Sequence, residues 1–361
     1  MRIAFGVAAR ADETRTPVAP ELISKCANTN CAVRNFLILV VVVGILCTGW
    51  LYWAAFQPTA PSETKFILLR PGWSVRHIAQ TLQHEGVIRS APAFLAVHYA
   101  LGKGSLKAGE YKFDSPANAF QVRDRLLRGD VFARTVVVPE GFNIFDIAQA
   151  VEQAGLGSAA DFLAVAQHET TLVHDIDLDA TSLEGYLFPD TYQFTRIDTM
   201  HDIAAVMLHR FRQTAQKIGL LGDPSMHRIV TMASIVEKET AVAEERALVA
   251  GVYYNRLDRN MLLGADPTVI YAALLAGRYR GTIYQSDLQS DSPYNTYRFA
   301  GLPPGPIANP GAASLRAAMH PQKSEFLYFV SDAAGHHRFS SNAAEHERNV
   351  VAYRKSLSTQ H

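Results

Sequence analysis

Two glutamates in one apolar stretch are the residues of this chain best suited to acid–base chemistry. The stretch His227–Asn260, HRIVTMASIVEKETAVAEERALVAGVYYNRLDRN, has the apolar spacing of one long helix. Glu237 and Glu239 lie on it. At about 100° per residue they point about 200° apart, so they cannot face one substrate together as an adjacent acid/base pair. Glu237 shares its face with Val230, Ala233, Ser234 and Ala241. Small and apolar neighbours desolvate a carboxyl and favour its protonated form, which suits a general acid. Glu239 falls on the side that carries Arg246 and reads as a partner in a charge network. On physical grounds alone, the two read at least as well as ordinary solvated helix glutamates.

The segments around this helix are rich in Gly, Pro, Tyr, Asn and Asp. They are SLEGYLFPDTYQF (182–194), ADPTVIY (265–271) and YNTYRFAGLPPGPIANPG (294–311). Sites are commonly built on such loops over a rigid scaffold, and Tyr, Asn and Asp suit sugar hydroxyls and ring faces. Further helices are expected at 313–319 and 343–357, and a strand at Phe326–Asp332. The chain has no nucleophile elbow, His-Glu-x-x-His, P-loop or Gly-x-Gly-x-x-Gly. Its histidines do not cluster at metal spacings, and His336-His337 reads as a surface turn.

These candidates must be held by what precedes them, and there the sequence repeats. FILLRPGWSVRHIAQTLQHEGVI (66–88) is echoed by TVVVPEGFNIFDIAQAVEQAGL (135–156), with Gly72 matching Gly141 and Gly86 matching Gly155. Each copy reads as a strand, a Pro/Gly turn and an amphipathic helix stopped by Gly, and ends near a Phe-Leu-Ala-Val run. Between the copies, Gly109–Phe113 reads as a strand and 119–127 as a helix. The first copy, within residues 65–134, resembles a LysM-like module, a fold that grips N-acetylglucosamine-containing glycans. The alternative is a strand–helix scaffold that spaces the rest of the chain from a membrane.

Residues 36–56, FLILVVVVGILCTGWLYWAAF, carry no charge over a length that spans a bilayer core. Trp50, Tyr52 and Trp53 sit at the C-terminal end, where amphipathic rings favour the interface. Arg2, Arg10, Arg15, Lys25 and Arg34 precede the span, which puts the N-terminus in the cytoplasm. The core is long and ends in bulky aromatics, so an uncleaved anchor fits better than a cleaved signal peptide. Leu46 before Cys47 argues against a lipoprotein. Residues 1–35 read as a cytoplasmic tail without hydrophobic period, and 57–64 as a linker. All three cysteines, Cys26, Cys31 and Cys47, lie in or before the span, so the remainder holds no disulfide or thiolate site. Lys+Arg and Asp+Glu balance at 34 each, which argues against nucleic acid as a partner.

The motifs together give the chain a family likeness. It resembles the YceG-like endolytic murein transglycosylases through LEGYLFPDTY (183–192), ASIVEKET (233–240), YNRL (254–257), DPTVIY (266–271) and the YNTY and GLPPGPIANP blocks of 294–310. The resemblance implies an α+β protein with a single N-terminal transmembrane helix, a LysM-like subdomain and a mixed α+β catalytic domain over 135–361. It implies a lyase with Glu237 as catalytic residue, acting on the bond between N-acetylmuramic acid and N-acetylglucosamine to leave a 1,6-anhydro end. Glu184, Asp190, Tyr192, Asn255, Asp266, Thr268, Asn295 and Tyr297 become the expected substrate contacts or the supports behind them. No metal or cofactor is implied. The expected partners are peptidoglycan strands and penicillin-binding synthases, and the expected place is the inner membrane with the catalytic part periplasmic. The expected role is cutting nascent strands and so limiting their length. The chain departs from the family in Gly264 and Ala265, where a Gln-Ser or Gln-Thr pair is usual, and in the length of residues 1–33. Two other readings stay open: a non-catalytic glycan-binding scaffold for synthases, and a hydrolytic muramidase whose second carboxylate would be Glu184, Asp190 or Asp266.

Overall fold

The computed structural model describes residues 21–102, 104–332 and 335–358, with side chains from Cys31 to Lys355. Residues 1–20 of the expected tail lie outside the described residues, with Arg2, Arg10 and Arg15; so do the side chains of Lys25 and Cys26. The apolar span forms the end of helix α1 (Glu21–Phe56). Among the described residues, Cys31–Phe56 is the one helix long and apolar enough to cross a membrane. Its last turn is packed rather than free. Ala54 and Ala55 are buried, Phe56 meets Phe120 with ring centroids 4.6 Å apart, and the Arg89 guanidinium lies 4.7 Å over the Trp53 ring. The expected linker is also tied down, because Thr59 and Ala117 form an isolated antiparallel bridge.

The repeat is real at the level of backbone. In the first copy, β1 (Lys65–Leu69) leads to α2 (Val75–His84) and α3 (Ala91–Ala100), and β2 (Gly109–Phe113) pairs with β1. Helix α4 (Ala119–Arg128) follows. In the second copy, β3 (Arg134–Val137) leads to α5 (Ile144–Gln153) and α6 (Ala159–His168), and β4 (Thr191–Phe194) closes antiparallel on β3 with Val136 opposite Tyr192. The helices are capped alike. Ser74 accepts from His77 N–H at the start of α2, and Asn143 forms a capping box with Asp146 at the start of α5. The matched glycines share left-handed backbone, with φ of 83° and 79° at Gly72 and Gly141 and 73° and 71° at Gly86 and Gly155.

The chain divides into two compact units, one holding α1 to α4 and the other holding β1, β2 and everything from Gly129 onward. Within the second, Glu110 of β2 is buried against Arg134 at 2.9 Å and Arg196 at 3.3 Å. Phe66 of β1 packs edge-on to Phe132, with centroids 4.9 Å apart.

Beyond β4 come α7 (Met200–Ile218), α8 (Met226–Glu239), α9 (Arg246–Asp258), α10 (Asp266–Leu275), the short α11 (Gln285–Leu288), α12 (Ala312–Met319), the antiparallel pair β5 (Tyr328–Ser331) and β6 (His337–Ser340), and α13 (Ala343–Ser358). The helix expected over 227–260 is therefore two helices. It breaks at Thr240, which is extended at φ −136° and ψ 129° and whose Oγ1 accepts from Val242 N–H. A threonine side chain that caps its own local turn competes with helical hydrogen bonding. Every residue from Ile229 to Val236 is buried, so α8 is a central helix of the core, with α9, α10 and α12 packed on it. Each large apolar side chain enclosed this way contributes about 1.5–3 kcal/mol. The polar residues after Val236 emerge only at the last turn of α8, where Glu237 and Glu239 sit.

Candidate active site

Glu237 occupies that last turn with its side chain 5% exposed. Its Oε2 accepts from the Gly311 N–H at 2.9 Å, and its Oε1 lies 3.3 Å from Nη2 of Arg246. This corrects the helical projection: Arg246 pairs with Glu237, not Glu239, because the break at Thr240 ends the common helix between them. Lys238 donates to Gly141 O at 3.1 Å. The turn before α5 thereby places Glu140 beside the site. An added Cβ on Gly311 would lie 1.9 Å from Glu140 Oε1, so the carboxylate rests directly on that glycine. Burial, and then the Glu237 charge, hold the Glu140 carboxyl above its ordinary range, with Arg246 opposing.

Glu239 points away into a second cluster. Burial pushes its carboxyl up to about 7, Tyr253 hydrogen-bonds it, and Asp266 and Arg256 lie near. Asp266 accepts from the Tyr297 hydroxyl at 2.6 Å, and Tyr297 is itself exposed. These two expected residues therefore stand together at the surface, one helix start away from Glu239.

Other expected residues are braces. Glu184 is 1% exposed and accepts from Ile144 N–H at 3.0 Å and from Asn309 Nδ2 at 2.9 Å. Burial raises its carboxyl to about 8, against hydrogen bonds from Ile144 and Tyr271. Thr268 is buried and bonded to Ala265 O and Thr296. Asn295 is buried and donates to Leu288 O and Ser290 O, each at 2.9 Å. Asn255 donates to Ser324 O and Phe326 O, and so ties α9 to the approach of β5. Tyr192 is buried and donates to Phe188 O, while Asp190 accepts from Arg210 at 2.6 Å and from Thr191 N–H. Enclosed groups bonded in this way fix the loops, while the Asp190 side chain keeps 37% of its surface exposed.

Some residues that tie the site together were not singled out in the sequence. Asn309 is one: its Oδ1 accepts from Leu187 N–H, its Nδ2 donates to Phe142 O and Glu184, and its backbone exchanges bonds with the Gly141–Phe142 turn. It joins the 183–192 and 294–311 loops to the start of α5. His227 does the same for the proline loop, with Nδ1 2.8 Å from Asp177 Oδ2 and Nε2 2.8 Å from Pro304 O. Next to Lys238, the residue between the two glutamates, a groove of about 410 Å³ runs between α5 and α10. Phe145, Gln149, Lys238, Pro267, Tyr271 and Tyr279 are among its walls. Apolar faces with a few polar groups are the composition of a small-ligand cleft.

The pattern of the YceG-like family matches residues 67–352. The chain belongs to the YceG-like family. An endolytic murein transglycosylase of Bacillus subtilis (strain 168) is 34% identical over 300 residues, which is 78% of this chain and 82% of that protein. Its counterpart in Streptococcus pneumoniae serotype 2 is 30% identical over 317 residues; there the chain spans only 57% of the relative's length. The crystal structure of a YceG-like protein from Listeria monocytogenes superposes with a TM-score of 0.52 at 32% identity, covering 79% of this chain and 99% of that one.

A polar pair is expected from the sequence where this YceG-like chain has Gly264 and Ala265, and the structure shows where those residues sit. Gly264 has φ of 54° and faces the Tyr297 ring, and Ala265 is buried with its N–H on Thr296 Oγ1. A polar side chain at 265 would point into the core, so the departure touches the wall behind Tyr297 more than the surface beside Glu237.

Proposed function

We propose that this chain is a membrane-anchored endolytic lytic transglycosylase. It cuts the β-1,4 bond between N-acetylmuramic acid and N-acetylglucosamine in nascent peptidoglycan strands. The observation that carries the reading is Glu237 itself. Of the two glutamates in the last turn of α8, it is the one held between Arg246 and the Gly311 amide, and it lies in the ASIVEKET block of a family whose named relatives are endolytic murein transglycosylases.

The reaction needs one carboxyl that gives a proton and takes one back. Glu237 protonates the glycosidic oxygen as the bond to C1 of the muramic ring breaks. It then accepts the proton of that ring's own 6-hydroxyl as O6 bonds to C1. The electron pair of the broken bond leaves with the N-acetylglucosamine oxygen, and the muramic end closes as a 1,6-anhydro ring. The internal hydroxyl takes the place of the water or nucleophile that a two-carboxylate glycosidase employs. Arg246 stabilises the carboxylate between the two steps. The groove lined by Phe145, Tyr271 and Tyr279 receives the strand, and Tyr297 with Asp266 offers an exposed aromatic and acid at its far side.

Residues 36–56 hold the enzyme in the inner membrane, with the catalytic part in the periplasm beside penicillin-binding synthases. Cutting there limits the length of new strands. The LysM-like first copy gives the enzyme a grip on glycan.

The test is digestion of purified peptidoglycan by the full chain in detergent micelles, wild type against Glu237→Gln, with fragments read by mass. Anhydro ends from the wild type and at least about a hundredfold fewer from the variant are expected. Glu140 favours one alternative, a hydrolytic muramidase, because it is a second carboxylate beside Glu237. Reducing ends instead of anhydro ends would establish that alternative. Binding without fragments would leave a glycan-binding scaffold.

A further inference from the structure

We propose that Glu140 is a positioning residue of the active site, which shares one proton with Glu237 and sets the pH range over which Glu237 can act as the acid. The inference rests on the reaction proposed above.

The geometry poses a problem that Glu140 solves. Both oxygens of Glu237 face donors, the Gly311 N–H and the Arg246 guanidinium. Hydrogen bonds and an opposite charge favour the ionised form, yet the first step needs a proton on this carboxyl. A second carboxylate close by has the reverse effect, because two like charges in one site cannot both ionise freely. Glu140 is that carboxylate. It rests on Gly311, the residue whose amide holds Glu237, and the absence of a side chain on Gly311 is what lets it approach. The neighbouring charges have partners of their own, although the Lys238 ammonium lies close to the pair. Lys238 turns its ammonium to Gly141 O, and Glu239 faces Tyr253, Asp266 and Arg256 on the other side of the turn.

The pair then holds one proton between two oxygen sets. When Glu237 gives that proton to the glycosidic oxygen, both carboxylates are charged, and the repulsion favours return of a proton from the 6-hydroxyl. Arg246 and Glu140 act on Glu237 in opposite directions, as befits a group that must both give and take a proton.

The experiment is the pH–rate profile for anhydro-end formation by the full chain in micelles, for wild type, Glu140→Gln and Gly311→Ala. Glu140→Gln removes the charge and keeps the shape. Gly311→Ala has ordinary backbone dihedrals for alanine, φ −74° and ψ 169°, and its Cβ displaces the Glu140 carboxylate. Each variant should move the alkaline limb down by about one pH unit or more, a roughly tenfold loss at pH 7.5 or so that is largely recovered on the acid side. The double variant should add little to either single one. Loss of rate at every pH with an unmoved limb would reduce Glu140 to a structural brace and overturn the proposal, and so would wild-type rates in Glu140→Gln. If the wild type yields no anhydro ends at all, the proposed reaction fails instead. Carboxyl 13C titration of Glu237 with and without Glu140→Gln then decides the pairing by itself: an unchanged titration overturns it.

Discussion

Arg246 and Glu237 meet at 3.3 Å across the break between α8 and α9, with side chains only 12% and 5% exposed. A pair enclosed to this degree is costly to halve, because the remaining charge has lost both partner and water. Arg246→Gln should therefore destabilise the protein by about 3 kcal/mol, read from the shift in a urea midpoint at constant slope. An unshifted midpoint would mean that the pair serves the reaction alone.

Glu184 predicts a pH dependence of stability with a definite sign. Its carboxyl keeps a proton in the folded chain up to about 8, whereas an ordinary glutamate loses it near 4.5. The folded state thus binds more protons than the unfolded state between those values, and stability falls as pH rises through the window. Glu239, raised to about 7, acts in the same direction. Glu184→Gln should cost about 1–3 kcal/mol at pH near 5, since glutamine offers one acceptor to the two N–H groups of Ile144 and Asn309. The gap between wild type and variant should narrow toward pH 8 or so. Melting curves at several pH values check this, and a constant gap would refute it.

Two glycines with the same backbone should respond differently to alanine. Gly185 has φ of 89°, and a Cβ there would lie 2.5 Å from Pro306 Cγ and 2.9 Å from Val230 Cγ1. Gly219 has φ of 77° with nothing within 4 Å. Gly219→Ala should cost about 1 kcal/mol, for the left-handed backbone alone. Gly185→Ala adds overpacking against a rigid proline and should cost about 3 kcal/mol or more. Equal melting temperatures in the two variants would show that the 183–192 loop yields easily.

Glu110 should be worth more to the fold than its place in a short strand suggests. Its carboxylate is 1% exposed and serves both Arg134 and Arg196. Glu110→Gln should lower stability by about 3 kcal/mol, mostly through Arg134, because Arg196 is half in water. Arg196→Gln should cost under about 1 kcal/mol. Denaturation of the two variants side by side separates the contributions.

The sequence disclosed those parts of the fold that local rules govern. Gly72, Gly86, Gly141 and Gly155 marked turns and helix stops because only left-handed backbone fits there, and the spacing between them carried the repeat. Gly109–Phe113 is the strand the reading expected. The break at Thr240 was hidden, since Glu-Thr-Ala-Val-Ala suits a helix and one side-chain hydrogen bond ends it. Within the site, Glu237 was legible from the apolar run before it. Its partners were not: Glu140, Arg246 and Gly311 converge from three separate segments, and no spacing along the chain records such a meeting. Glu184 was expected either as a substrate contact or as a support behind one. Here the first turn of α5 and Asn309 supply enough donors to enclose it.

The two copies of the strand–helix–helix–strand unit differ most in their final connection. It occupies residues 101–108 in the first and 169–190 in the second, where it includes the Gly185 stretch wedged against Pro306. A closing strand that pairs whatever the length of the loop before it lets that loop grow without loss of the sheet. The stretch that packs on Val230 of α8 and on the proline loop is thus an elongated connection within a duplicated module. One architectural plan can gain a new packing surface by lengthening a single loop.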